Sequence, residues 1–174
     1  ASGELMTYEL EDEYTPQLNL VHSRYGLRRT MADGMVYLSE ILKTYDGQGN
    51  LIDSLSRVAY EYPDGSKLVI ETRQDFDDQD RLIGYTTTRT WYSRSGRKTS
   101  QETSILTKTY DTASGRLTIT RTETTRMTFD ANENIVGTPV TDIYENTYDE
   151  NSRILLQNLR LSCLARQIGI HVQY

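Results

Sequence analysis

One cysteine, Cys163, is all that the 174 residues contain, which excludes an internal disulfide and any metal site built on cysteine. A lone thiol of this kind is expected to serve as a small buried hydrophobe. Histidine is almost as scarce. His22 and His171 both sit in strand-like context and are read as surface or satisfied core residues, since nothing in their spacing supports a nucleophilic triad. No run approaches the roughly 18 apolar residues that a membrane-crossing helix needs. The first residues, Ala1-Ser2-Gly3-Glu4, lack the basic and apolar regions of a signal peptide, and the start at Ala rather than Met is expected of a mature chain. Positive charge is also in short supply: 19 Lys and Arg against 25 Asp and Glu leave a net charge of -6, and the basic residues are scattered among acids. That distribution argues against a nucleic-acid surface, where clustered Lys and Arg neutralise phosphates. Aliphatic residues are few as well, with a hydrophobic fraction of 36% against the usual 45 to 50% or so, so a thin core is expected.

What replaces the aliphatics is tyrosine and threonine. Thirteen Tyr and a heavy load of Thr suit a pleated, half-buried surface rather than a disordered chain. The length fits one domain spanning 1–174. Within it a unit recurs: an aromatic, usually Asp, a polar turn, a basic or polar residue, then an aliphatic. The clearest copies are Tyr45-Asp46-Gly47-Gln48-Gly49-Asn50-Leu51 and Tyr110-Asp111-Thr112-Ala113-Ser114-Gly115-Arg116-Leu117. Weaker ones begin at Tyr62, Phe76, Tyr92, Phe129 and Tyr148, so the steps between leading aromatics are 17, 14, 16, 18, 19 and 19 residues. Asp in such a unit accepts a hydrogen bond from backbone two residues on, and Gly or Asn takes the positive φ that closes the turn. Each copy is expected to reverse the chain.

Between the turns lie strand-like segments. After Arg116, Leu117, Ile119, Met127 and Phe129 fall on one parity and Thr118, Thr120, Thr122, Thr124 and Thr128 on the other, a period of two. Arg121, Glu123 and Thr125 interrupt the apolar parity, so the strand centre is polar on both sides, too polar for a conventional two-layer core. About two further strands are expected between Met6 and Leu42, with Ala32-Asp33-Gly34 as a turn, while Glu11, Asp12 and Glu13 read as an exposed acidic run. Near the end, Ile154 to Ile168 is compatible with helix or strand, and a last strand is expected from Gly169 to Tyr174. The fold expected is all-β: an antiparallel up-and-down meander of about 8 to 10 strands, as a single sheet or as an open or closed barrel.

The seven aromatic-Asp turns, above all Tyr45 to Leu51 and Tyr110 to Leu117, resemble the YD repeat of RHS and teneurin proteins and related repeats in short secreted or surface proteins of Bacteroidota. The resemblance spans residues 45–154. It departs from the family in its shorter, irregular period and in the loss of the turn glycine from several copies. What it implies is an exported, β-rich structural or adhesive protein of the cell surface or envelope, without catalytic residues in the repeats. Asp53-Ser54-Leu55 and Asp111-Thr112-Ala113 are also similar to the O-glycosylation sequon of that phylum.

Chemistry-bearing clusters are few. Asp75, Asp77, Asp78 and Asp80 are dense enough for calcium, but an EF-hand loop from Asp75 requires Gly where Asp80 stands and Glu where Thr86 stands. These acids are expected in a solvated turn, and neither a metal nor a cofactor is expected. No pair of carboxylates is singled out for hydrolysis. The one candidate binding site is on the strand from Ile83 to Tyr92, where Tyr85, Arg89 and Trp91 share a face over about 6.6 to 20 Å at 3.3 Å per residue. Such a row makes a glycan or peptide platform, or else simply the strand's core aromatics. The function expected is a non-enzymatic binding or structural module whose partner is a glycan or another envelope protein. The alternatives are a small-ligand carrier with a closed β-barrel and a carboxylate-dependent hydrolase.

Overall fold

Every one of the seven aromatic-led turns reverses the chain. The computed structural model describes residues 4–77, 79, 81–161 and 167–170. Eleven strands form one sheet: β1 (Leu5–Tyr14), β2 (Leu20–Thr30), β3 (Val36–Tyr45), β4 (Leu51–Glu61), β5 (Lys67–Phe76), β6 (Leu82–Tyr92), β7 (Lys98–Tyr110), β8 (Leu117–Thr128), β9 (Val140–Tyr148), β10 (Ile154–Leu161) and β11 (Gln167–Ile170). Their order in the sheet is their order in the chain, and all pairings are antiparallel. The described residues contain no helix. β1 and β11 are the two edges, so the sheet is not closed and the barrel alternative is not formed.

Three strands rather than about two precede residue 46, because the acidic run Glu11-Asp12-Glu13 is itself the second half of β1. Its burial pattern, exposed throughout, is that of an edge strand, which hydropathy alone reads as a loop. Residues 154 to 161, ambiguous in sequence, are held as strand β10 by pairing with β9. The last strand begins at Gln167, and the expected continuation over 171–174 lies outside the described residues, as do Cys163 and His171.

The turns repeat one geometry. At Asp46 the Gly49 N–H donates to the Asp46 carbonyl (3.1 Å) and the Asp46 N–H to the Asn50 carbonyl (2.9 Å). The Gln48 and Asn50 N–H groups both donate to Asp46 Oδ1, at 2.8 and 2.9 Å. The same pair of donors meets Asp77, Asp130 and Asp149. Gly49, at φ 91°, occupies the left-handed position at the end of the turn. Where the glycine is lost the conformation is kept: Glu133 and Ser152 both take φ 62°, and in the first turn Leu18 takes φ 65°.

The sheet is a single layer. Each strand contacts only its neighbours in the chain. Ala59 and Val69 are the buried apolar side chains among the described residues, and no large side chain is fully buried. The accessible surface of 11813 Å² exceeds the roughly 8700 Å² that a compact domain of this mass presents. Cross-strand side-chain pairs therefore take over the work of a core, at about 0.2 to 1 kcal/mol each. Hydroxyl pairs cross both faces at mid-strand: Thr72 with Thr87 (3.0 Å) and Ser104 with Thr124 (2.9 Å) on one, Thr88 with Thr103 (3.5 Å) and Thr125 with Thr141 (2.9 Å) on the other. The polar strand centres foreseen from the sequence are these rows. At the sheet ends, an arginine closing one turn donates to a carbonyl of the next turn along the same end: Arg81 to Gly115 (3.4 Å), Arg97 to Ala131 (3.1 Å) and Arg116 to Glu150 (2.8 Å).

Two outcomes are expected. Leu18 is 81% exposed, so Leu18→Gly removes the strain of its positive φ without losing packing and should stabilise by about 1 kcal/mol. A raised urea midpoint checks this, and an unchanged or lowered one contradicts it. The second concerns acid. The Asn50 N–H holds the Asp46 carboxyl below its ordinary pKa, and the Ser66 hydroxyl does the same for Asp64, the Arg81 guanidinium for Asp77, the Ser114 hydroxyl for Asp111, and the Asn134 and Arg153 N–H groups for Asp130 and Asp149. A carboxyl with a lowered folded-state pKa stabilises above its unfolded value, about 3.9, and loses that stabilisation as pH falls through the folded value. The urea midpoint should hold from about pH 7 to about pH 5 and drop below about pH 4, and the gap between the native chain and Asp46→Asn should narrow over that drop.

Candidate functional site

Strand alternation and register sort the side chains onto two unlike faces. Along one, Tyr37 of β3 stands opposite Tyr60 of β4, Tyr60 opposite Leu68 of β5, and Leu68 opposite Trp91 of β6. The Tyr37 and Tyr60 rings are 5.4 Å apart between centroids and tilted by 59°. All four residues are half-buried. Val58 and Ile70 lie beside them in the next row, directly opposite each other. The result is an aromatic and aliphatic strip running across four strands, perpendicular to them, with no second layer over it among the described residues.

Of the residues picked out in sequence, Trp91 belongs to this strip. Arg89 shares its face one row further on, between Ile70 and Glu102. Its guanidinium is committed: Nη1 lies 2.9 Å from Glu102 Oε1. Glu102 in turn holds Arg126 (2.9 Å), which also reaches Asp142 (2.7 Å), so an ion-pair chain crosses β6, β7, β8 and β9. The Asp142 and Glu102 carboxylates raise the Arg126 pKa above its ordinary value. Tyr85 keeps the same face but stands two rows beyond Arg89, between Gln74 and Leu106, away from the strip. Tyr37, Tyr60 and Leu68 carry no signal of this strip along any one strand, and only the register across strands brings them beside Trp91.

The opposite face is dressed with ion pairs, among them Arg24 with Glu40 (2.7 Å), Arg57 with Glu71 (3.3 Å) and Arg73 with Asp53 (3.1 Å). A trough of about 400 Å³ opens there over Gly26, Leu38, Ala59 and Val69, with Arg28 and Lys67 among its lining residues. His22 is exposed on this face with its Nδ1 3.4 Å from the Thr44 hydroxyl. Asp77 is a turn acceptor and Asp75 a strand residue 3.8 Å from Arg73, while Asp78 and Asp80 lie outside the described residues. Among the described residues no three His, Cys, Asp or Glu side chains converge as a metal site would require, and no helix is long and apolar enough to cross a membrane. Of the two glycosylation-like sequences, Ser54 is buried at 6% exposure in mid-strand, whereas Thr112 is exposed at a turn.

Comparison with family models, curated proteins and solved structures finds no match for this chain.

The Arg89–Glu102–Arg126–Asp142 chain makes a measurable demand. Glu102→Gln leaves two guanidinium groups without their shared anion and should cost about 1 kcal/mol, after allowing for solvent screening of half-exposed groups. That loss should shrink in about 1 M NaCl. A loss independent of salt would mean that Glu102 acts through packing alone.

Proposed function

We propose that this chain is a non-enzymatic binding or structural module of an exported bacterial cell-surface or envelope protein, kin to the YD-repeat proteins, and that its aromatic face holds a glycan or another envelope protein. The observation that carries this reading is the half-exposed strip Tyr37–Tyr60–Leu68–Trp91, over which none of the described residues packs as a second layer. Flat rings with a polar rim suit the apolar faces and hydroxyl edges of a sugar, and Tyr and Trp contribute contact area at low entropic cost. The seven turn-and-strand units support the kinship, and a meander of local hairpins suits a spacer or display surface. Tyr85 and Arg89 belong to the same proposed platform as flanking groups. Arg89, already paired with Glu102, acts by orienting rather than as a free donor.

The rival carrier needs an enclosed cavity, which an open sheet does not supply. The hydrolase reading needs a free pair of carboxylates, and the two on the aromatic face beside Arg89, Glu102 and Asp142, are both bound to Arg126.

Glycan-array retention tests the proposal. Trp91→Ala combined with Tyr60→Ala should abolish retention while far-UV circular dichroism stays that of the native sheet, and Tyr85→Ala should weaken it less. Retention unchanged in the double variant, or no retention by the native chain of any glycan or envelope extract, would sink the reading.

A further inference from the structure

Of the edge strands, β11 is described only over Gln167–Ile170, whereas β1 is ten residues long and exposed at every one. Natural sheets blunt an edge with charged side chains, lysine above all, or with proline, a bulge or brevity, and the charges of β1, Glu9, Glu11, Asp12 and Glu13, leave its first four residues, Leu5 to Tyr8, uncharged. β1 has no Lys and no Pro, and its one register irregularity lies at its far end, between Glu13 and Tyr14.

Which backbone groups this edge presents follows from the turns on either side of β2. The Thr15 N–H donates to the Asn19 carbonyl and the Leu18 N–H to the Thr15 carbonyl, so the polar groups of Thr15 face β2. Successive residues of a strand alternate, so Leu5, Thr7, Glu9, Glu11 and Glu13 also face β2, and Met6, Tyr8, Leu10 and Asp12 turn their N–H and C=O outward. The next turn agrees. The Met31 N–H donates to the Met35 carbonyl, which directs the odd residues of β2 to β3 and leaves Arg28, Gly26 and Arg24 to face their partners Thr7, Glu9 and Glu11. The residues with outward backbone also place their side chains on the aromatic face, and three of them are large and apolar: Met6 (59% exposed), Tyr8 (72%) and Leu10 (69%).

We propose that β1 is a homodimer interface, at which β1 of one copy pairs antiparallel with β1 of a second copy about a two-fold axis through Tyr8, so that two sheets run on as one. Self-pairing is favoured because one register sets the three exposed apolar side chains against each other. Outward groups meet only when opposed residue numbers sum to an even value. A sum of 14 sets Leu10 against Glu4 and opposes only Leu5 to Glu9 within the strands, a sum of 18 sets Glu9 against Glu9 and Met6 against Asp12, and a sum of 20 sets Glu9 against Glu11 and Tyr8 against Asp12. Like charges directly opposite destabilise a sheet. A sum of 16 sets Tyr8 against Tyr8, Met6 against Leu10, Thr7 against Glu9 and Leu5 against Glu11, with no acid opposing an acid within the paired strands. Just beyond, Glu4 meets Asp12 of the second copy, and Glu4 is already ion-paired to Arg29. In this register the exposed Met6, Tyr8 and Leu10 cover one another across the axis, and the aromatic faces of both copies become continuous.

The chain should show concentration-dependent dimerisation in sedimentation equilibrium, and Tyr8→Lys, at a site already 72% exposed, should leave a folded monomer by circular dichroism. Directly opposed, hydrogen-bonded residues have Cα atoms about 5.5 Å apart, within disulfide reach. In a Cys163→Ser background, Tyr8→Cys should therefore form a disulfide dimer on mild oxidation, and Glu9→Cys should form much less. A chain that stays monomeric at high concentration overturns the proposal, as does a dimer that persists in Tyr8→Lys. Cross-linking by Glu9→Cys in preference to Tyr8→Cys overturns the register and with it the argument for self-pairing.

Discussion

A turn aspartate whose carboxylate takes two backbone N–H groups is the interaction on which the rest of this sheet depends. At Asp46, Asp77, Asp130 and Asp149 one oxygen collects the N–H groups two and four residues on, which closes the hairpin and fixes the register of the strands that leave it. A two-layer protein corrects a loosely specified turn through its core. The described residues form no second layer, so each hairpin must be specified where it is formed. That demand explains why the turn is kept even where its glycine is not, with Glu133 and Ser152 held at positive φ by the bonds around them.

The second consequence of a single layer is that both faces of the sheet are surfaces. Hydrophobic burial, the dominant favourable contribution in an ordinary domain, is reduced here to half-buried side chains, and cross-strand pairs of hydroxyls and ions replace it row by row. Contacts are nearly all between strands adjacent in the chain, a topology that carries little loop-closure cost. The arginines that reach from one turn to the next, Arg81, Arg97 and Arg116, tie successive hairpins together at their ends, where a lone two-stranded hairpin is weakest.

Against that polar background two apolar features stand out, and they lie on one face. Among the described residues, the strip through Tyr37, Tyr60, Leu68 and Trp91 has no covering layer, and the edge residues Met6, Tyr8 and Leu10 are paired with β2 on one side and with no strand on the other. A binding module and a self-pairing edge use these features in a compatible way. The edge doubles the number of strips on one continuous surface, and paired weak sites gain avidity when a ligand is long enough to reach both.

The sequence by itself determined the strand class, the seven reversals and the polar strand centres, because turn chemistry and period-two alternation are local properties written in adjacent residues. It could also place Tyr85, Arg89 and Trp91 on one face, since that requires only counting along a strand. It did not reveal that Glu11, Asp12 and Glu13 are edge strand rather than loop, because an edge exposed on every residue has the hydropathy of a loop and is made a strand by its partner β2. Nor did it show that the sheet stays open, that Arg89 is bound by Glu102, or that Trp91 lies beside Leu68 and Tyr60 instead of Tyr85. Those side-chain placements relate residues from 13 apart in the chain (Arg89 and Glu102) to 31 apart (Tyr60 and Trp91), and register is fixed by backbone pairing in three dimensions, not by the composition of any one strand.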